Sequence, residues 1–170
     1  MNNIYGDIFT IPEGYFPKTG ARIMSLAEPT KKMSKSDENV NATIYLIDDR
    51  DTIIRKFKKA VTDSDAEVRY DVENKPGVSN LMEIYGVVTG KNMDEVAAEF
   101  AGKGYGDFKL AVGESVADLL GPTQKRQEEL LADKAYVDGV IKNNAERASY
   151  LAMKTLRKVQ KKIGFPERPR

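Results

Sequence analysis

Residues 29–37 read Pro29-Thr30-Lys31-Lys32-Met33-Ser34-Lys35-Ser36-Asp37, with three lysines and two serines in the six residues from Lys31 to Ser36. The ammonium groups of Lys32 and Lys35 are three positions apart and can reach one polyphosphate. Serine hydroxyls and the N–H groups of a loop can add hydrogen bonds to the same ligand. A solvated basic turn is the alternative for so short a stretch. The surrounding sequence has to decide between these two interpretations.

The composition limits the chemistry that this chain can perform. The chain has 170 residues, of which 41% are hydrophobic and 31% charged, as in ordinary globular proteins. It contains neither cysteine nor histidine, which excludes disulfides, thiol nucleophiles and imidazole chemistry. Lysine, arginine, carboxylates and hydroxyls remain, and they suit the binding of a phosphorylated ligand. No apolar run is long enough to span a bilayer, so we expect a cytoplasmic protein with no membrane partner.

Positive charge is concentrated at the end of the chain. Residues 151–170 carry seven Lys or Arg and one Glu, a net charge of +6, whereas the whole chain has a net charge of +1. A basic terminal segment favours a polyanionic partner, and a solvated helix end is the alternative.

The first fifty residues contain three short segments that predict strands, at 7–12, 22–26 and 43–47. Three strands of this length do not make a stable sheet with both faces covered. We therefore interpret residues 1–50 as part of a larger fold that contains β-structure.

From residue 51 onward, apolar residues recur at helical spacing and predict five or six helices packed as a bundle. Asp49 or Asp51 can cap the first helix, and Asn92 with Glu95 forms a capping box. Gly121-Pro122 predicts a kink or an end in a long helix. Four basic residues of the first helix fall off its apolar face and predict a solvated or nucleic-acid-facing stripe: Arg55, Lys56, Lys58 and Lys59. The predicted fold class is mostly α.

The pentapeptide Lys32-Met33-Ser34-Lys35-Ser36 resembles the mobile ATP-binding loop of class I aminoacyl-tRNA synthetases. Further stretches resemble the bacterial tryptophanyl-tRNA synthetases, and the resemblance covers essentially the whole chain. These stretches are Gly20-Ala21-Arg22-Ile23-Met24-Ser25-Leu26, Lys75-Pro76-Gly77-Val78-Ser79-Asn80-Leu81 and Gly102-Lys103-Gly104-Tyr105-Gly106. The stretch at 75–81 favours the tryptophan enzymes over their tyrosine relatives.

This resemblance implies a ligase that activates tryptophan with ATP and charges tRNA(Trp). It implies that residues 1–50 are the end of a Rossmann-type catalytic domain that contains the KMSKS loop, and that residues 51–170 are a helical anticodon-binding domain. The His-Ile-Gly-His-type signature of the family is absent from the chain. We therefore expect a C-terminal fragment that lacks the first half of the active site and is inactive alone. Two alternatives are a stand-alone tRNA-binding or helical interaction module, and another nucleotidyltransferase with the same loop.

The resemblance also implies roles for individual residues. We expect Lys32 and Lys35 to be the catalytic lysines. The expected ATP-binding residues are Ile23, Lys32, Met33, Ser34, Lys35 and Ser36. The candidate tRNA-binding residues are Lys154, Arg157, Lys158, Lys161 and Lys162. The expected partners are ATP, tryptophan and tRNA(Trp), with Mg²⁺ carried by ATP and not held by protein ligands, and the full-length enzyme is expected to be a homodimer.

Overall fold

The computed structural model describes residues 1–17 and 19–165, and this part of the chain is mostly helical. Its helices are α1 (Asn2–Tyr5), α2 (Arg50–Lys58), α3 (Pro76–Thr89), α4 (Met93–Glu99), α5 (Tyr105–Ala132) and α6 (Lys134–Ile163). The predicted mostly helical fold class is confirmed.

Helix α2 begins at the first of its two predicted caps. The Asp49 side chain accepts a hydrogen bond from the backbone N–H of Thr52 at 2.7 Å, which satisfies one of the unpaired donors of the first turn. Ile53 and Phe57 are buried on the predicted apolar face. Lys56 is buried as well, at 4% exposure, so the prediction of a solvated basic stripe is wrong for this residue.

Helix α3 lies at the centre of the core and is buried around most of its circumference. Its second residue is Gly77, where an added Cβ would lie 2.1 Å from the carbonyl oxygen of Val61. A glycine is therefore needed for the start of α3 to approach the chain at residue 61. Helix α3 ends at Gly90, whose φ of 75° lies in the left-handed region that favours glycine.

Helices α4 and α5 complete the core with aromatic contacts. The predicted capping box is present at the start of α4, where Asn92 and Glu95 bond each other's backbone N–H groups. Phe108 of α5 packs edge-on against Phe100 and Tyr85, with ring centroids 4.9 and 6.4 Å apart. Helix α5 continues through Pro122 to Ala132, so Gly121-Pro122 does not end it.

The three predicted strands do not form in the part of the chain that the structure describes. The β-pairing found there is a single antiparallel bridge between Met24 and Lys32. Elsewhere in these segments, side chains supply the hydrogen bonds that a neighbouring strand would give. The Asn2 side chain accepts from Ile8 and Phe9, and Asp48 accepts from Tyr45. Backbone groups satisfied in this way do not need a sheet.

A buried lysine holds the polar loop at 62–74 against the helices. Lys75 is 1% exposed, and its Nζ lies 2.8 Å from Asp65, 3.2 Å from Asp63 and 3.1 Å from the Tyr105 hydroxyl. Burial disfavours the charged form, but the hydrogen bonds with these partners outweigh it and raise the pKa of Lys75. Asp63 and Asp65 therefore have a structural role as partners of Lys75.

The described chain divides into two compact units. One comprises residues 16–126, and the other comprises residues 1–15 together with residues 127 onward. Residues on both sides of position 50 thus share one unit, and the predicted functions of segments 1–50 and 51–170 stay predictions. None of the helices in the described part is long and apolar enough to cross a membrane.

Replacement of Phe108 by Ala should destabilise the core. Phe108 is fully buried, so the truncation loses its transfer free energy and leaves a cavity, at a cost of about 3–5 kcal/mol. Urea unfolding followed by circular dichroism measures this loss. The control is Leu119→Ala on the same helix, where the side chain is 55% exposed and the change should stay within about 0.5 kcal/mol. Equal losses in the two variants would contradict the placement of Phe108 in the core.

Asp71 should contribute to stability in a pH-dependent way. Hydrogen bonds from the backbone and side chain of Asn74, together with Arg69 at 2.9 Å, hold the pKa of Asp71 at about 2. An unfolded Asp titrates near 3.9, so the contribution is complete above about pH 4 and is lost as the pH falls towards 2. Asp71→Asn should therefore be less stable than the unmodified protein at pH 7, and the difference should shrink between pH 4 and pH 2. Urea unfolding at each pH, with the exposed neighbour variant Glu73→Gln as control, tests this.

Candidate nucleotide-binding site

The KMSKS segment, defined as residues 32–36, is held at its start by the bridge to residues 23–25. The N–H of Met33 donates to the Ile23 carbonyl at 3.0 Å, and the N–H of Ser25 donates to the Lys31 carbonyl at 2.8 Å. Ile23 and Met33 are both half-buried and pack against the core. The structure therefore places Ile23, a predicted ATP-binding residue, beside the predicted phosphate-binding segment.

The two lysines predicted to bind phosphate have free side chains. Lys32 and Lys35 are exposed, and neither forms an ion pair within residues 1–17 and 19–165. The neighbouring Lys31 differs, because its Nζ lies 2.8 Å from the Glu28 carboxylate, and this hydrogen bond raises the pKa of Lys31. The segment thus presents two uncompensated cations three positions apart, which is the arrangement that a polyphosphate requires.

A turn follows the first lysine and orients the serines. The Asp37 N–H donates to the Ser34 carbonyl at 3.2 Å, and the Ser36 N–H donates to the Ser34 hydroxyl oxygen at 3.3 Å. Both serines are exposed, so their hydroxyl protons remain available to a ligand.

Asn80 is a site residue that the sequence analysis did not identify. The side-chain amide of Asn80 forms two hydrogen bonds with the backbone of Met24. The Met24 N–H donates to Asn80 Oδ1 at 2.8 Å, and Asn80 Nδ2 donates to the Met24 carbonyl at 2.9 Å. Asn80 is 5% exposed and lies on α3, 56 residues away in sequence. These bonds fix the segment that pairs with Lys32. The signal in the sequence was a polar amide between the apolar residues Val78 and Leu81, on a helix that is largely buried.

The five residues predicted to bind tRNA lie on α6, which belongs to the other compact unit. All five are exposed, and Lys154, Lys158 and Lys161 recur at spacings of four and three, so they share one face of the helix. Over residues 134–163 the helix carries eight Lys or Arg and two Asp or Glu. Their role in tRNA binding stays a prediction.

The chain is similar to curated bacterial ligases. It is 47% identical over 170 residues to the tryptophan–tRNA ligase of Halalkalibacterium halodurans, which covers all of this chain and 51% of that protein. It is 48% identical over 165 residues to the tryptophan–tRNA ligase of Oceanobacillus iheyensis, which covers 97% of this chain and 50% of that protein. The chain thus spans about half the length of these relatives.

Solved structures show the same relationship. The crystal structure of tryptophanyl-tRNA synthetase from Mycoplasma pneumoniae matches with a TM-score of 0.78 and 30% identity, over 88% of this chain and 45% of that one. The enzyme from Campylobacter jejuni, solved in complex with ADP and tryptophan, matches with a TM-score of 0.63 and 27% identity, over 96% of this chain and 50% of that one.

The family model corrects one expectation. The model of class I tRNA synthetases for tryptophan and tyrosine (W and Y) matches residues 1–121. Sequence typical of this family therefore begins at residue 1 and extends far beyond residue 50. The expectations of an inactive C-terminal fragment, and of a chain that lacks the first half of the active site, are wrong on this finding.

The resemblance to bacterial tryptophanyl-tRNA synthetases, in contrast, is confirmed. The family model covers more than two thirds of the chain, and both the curated relatives and the solved structures are tryptophan enzymes. The chain therefore belongs to the family of class I tRNA synthetases for tryptophan and tyrosine.

Proposed function

We propose that this chain takes part in the ATP-dependent charging of tRNA(Trp) with tryptophan, and that its KMSKS segment binds the phosphates of ATP. The observation that carries the proposal is the pair of free lysines, Lys32 and Lys35, on a segment whose backbone is fixed beside Ile23. The similarity to tryptophan–tRNA ligases supports tryptophan as the amino acid.

The proposed chemistry has two steps. In the first, a carboxylate oxygen of tryptophan bonds to the α-phosphorus of ATP, the bond to the bridging β-phosphate oxygen breaks, and pyrophosphate leaves. In the second, a ribose hydroxyl at the end of the tRNA takes the aminoacyl group, and AMP leaves. The leaving pyrophosphate gains negative charge in the first transition state. Cations placed where this charge develops stabilise that transition state more than bound ATP and so raise the rate.

The roles that we propose for individual residues are those implied by the family resemblance, and the position of the KMSKS segment beside Ile23 supports them. Lys32 and Lys35 hold the β- and γ-phosphates, Ser34 and Ser36 donate hydrogen bonds to them, and Met33 packs beside the adenine with the backbone of Ile23. Mg²⁺ would enter with ATP as part of the substrate. The homodimer, the anticodon-binding role of the helices and a cytoplasmic location stay predictions.

Removal of one cation should slow activation strongly. Lys35→Ala should lower the rate of tryptophan-dependent ATP–pyrophosphate exchange by about 10²–10³-fold, the usual effect of losing one donor to a developing charge. Lys32→Ala should lower it in the same direction. The matched control is Lys31→Ala, because Lys31 is already paired with Glu28 and should change the rate by less than about threefold. An exchange rate in Lys35→Ala equal to that of the control would reject the assignment.

The basic face of α6 should contribute salt-dependent binding of tRNA. Each phosphate contact releases counterions, so log K should fall with log of the salt concentration with a slope of about 0.7–0.9 for each contact. Combined replacement of Lys158 and Lys161 by Ala should reduce that slope and weaken binding. Fluorescence anisotropy with labelled tRNA(Trp) at several salt concentrations measures it, and Lys142→Ala in the first half of α6 is the control. A slope that the double variant leaves unchanged would place tRNA elsewhere.

A further inference from the structure

Two side chains form hydrogen bonds with backbone carbonyl groups of the KMSKS segment, beyond its bridge to residues 23–25. Thr43 Oγ1 donates to the Ser34 carbonyl at 2.8 Å, and the Tyr45 hydroxyl donates to the Lys35 carbonyl at 3.3 Å. Thr43 is 5% exposed, whereas the side chains of Ser34 and Lys35 are exposed. These bonds hold the main chain and leave the groups that would meet a ligand free.

The ion pair between Lys56 and Asp48 holds the backbone of the residues that carry these side chains. Lys56 Nζ lies 2.6 Å from Asp48 Oδ2, donates to the Thr43 carbonyl at 2.9 Å, and lies 4.7 Å from the centroid of the Tyr45 ring. Asp48 Oδ2 also accepts a hydrogen bond from the Tyr45 N–H at 2.8 Å. The backbone of residues 43–45 is thus fixed directly by Lys56 and Asp48.

The hydrogen bonds from Thr43 and Tyr45 complement the bridge in fixing the backbone that carries the two lysines. A loop that is free in the unbound protein loses conformational entropy when a ligand orders it, and this loss weakens binding. The bridge to residues 23–25 fixes the segment before Ser34. The hydrogen bonds from Thr43 and Tyr45 fix the segment at Ser34 and at Lys35.

We infer that Thr43 and Tyr45, held by the Lys56–Asp48 pair, are positioning residues that set the backbone of the KMSKS segment so that Lys35 reaches the phosphates of ATP. This inference rests on the proposed function of that segment. Residues outside the pentapeptide thus contribute to ATP affinity, because they order the segment before ATP binds.

The test compares two substitutions at one position. Thr43→Val keeps the shape of the side chain and removes its donor, whereas Thr43→Ser keeps the donor. Thr43→Val should weaken ATP binding about 3- to 10-fold, the factor of one neutral hydrogen bond, and Thr43→Ser should restore the affinity. The matched control is Thr52→Val on α2. The Thr52 hydroxyl oxygen accepts a hydrogen bond from Arg55 at 3.4 Å and forms none with the KMSKS segment. Isothermal titration calorimetry with ATP measures the affinity.

A second measurement follows the segment itself. Amide hydrogen exchange of the peptide that covers residues 31–37 should become several-fold faster in Thr43→Val and stay unchanged in Thr43→Ser and Thr52→Val. Tyr45→Phe, which lacks only the hydroxyl that bonds Lys35, gives the same comparison if Thr43→Val does not fold. Circular dichroism establishes folding of each variant.

Unchanged exchange of residues 31–37 in both Thr43→Val and Tyr45→Phe would overturn the anchoring. Faster exchange with unchanged ATP affinity would overturn its role in binding. Failure of the proposed function gives a different result, because Lys35→Ala would then bind ATP as tightly as the unmodified chain, whatever the exchange of the segment shows.

Discussion

The buried contact between Lys56 and Asp48 connects α2 to the part of the chain that carries the candidate site. Removing an ammonium group and a carboxylate from water costs several kcal/mol for each ion, so such a pair persists only when its remaining hydrogen bonds are made. Here the Thr43 carbonyl, the Tyr45 N–H and the Tyr45 ring supply them. The segment at 43–48 is therefore fixed on the helix even though it belongs to no strand, and the KMSKS segment in turn rests on it.

Asn80 fixes the backbone of Met24, the residue that pairs with Lys32 of the KMSKS segment. Its amide satisfies both backbone groups of Met24, which point away from the bridge to Lys32. A strand in a sheet would receive these bonds from a neighbouring strand, but here a single side chain from α3 supplies them. The candidate nucleotide-binding segment is thus connected to two helices through buried polar groups, and its cationic side chains stay in solvent.

In this site, the residues that fix the backbone differ from the lysines that present positive charge to solvent. Thr43, Lys56 and Asn80, which fix the backbone, are buried and hydrogen-bonded, whereas Lys32 and Lys35 are exposed and form no ion pair among the described residues. Burial of the lysines would have required carboxylate partners, as Lys75 has in Asp63 and Asp65, and paired lysines would have less charge to offer to a phosphate. A segment that binds a polyanion needs the opposite arrangement.

Features that depend on neighbours along the chain could be predicted from the sequence alone. The cap at Asp49, the capping box of Asn92 and Glu95 and the KMSKS pentapeptide are local patterns, and each carries its own physical signal. Other features depend on contacts between segments that are distant in the sequence. The predicted strands are replaced by one antiparallel bridge and by side-chain hydrogen bonds, because within residues 1–17 and 19–165 no neighbouring strand meets them. Lys56 became a buried group because Asp48, Thr43 and Tyr45 surround it, and Asn80 found Met24 across 56 residues. Such pairings depend on how distant segments meet in space, and helical or strand periodicity carries no information about them.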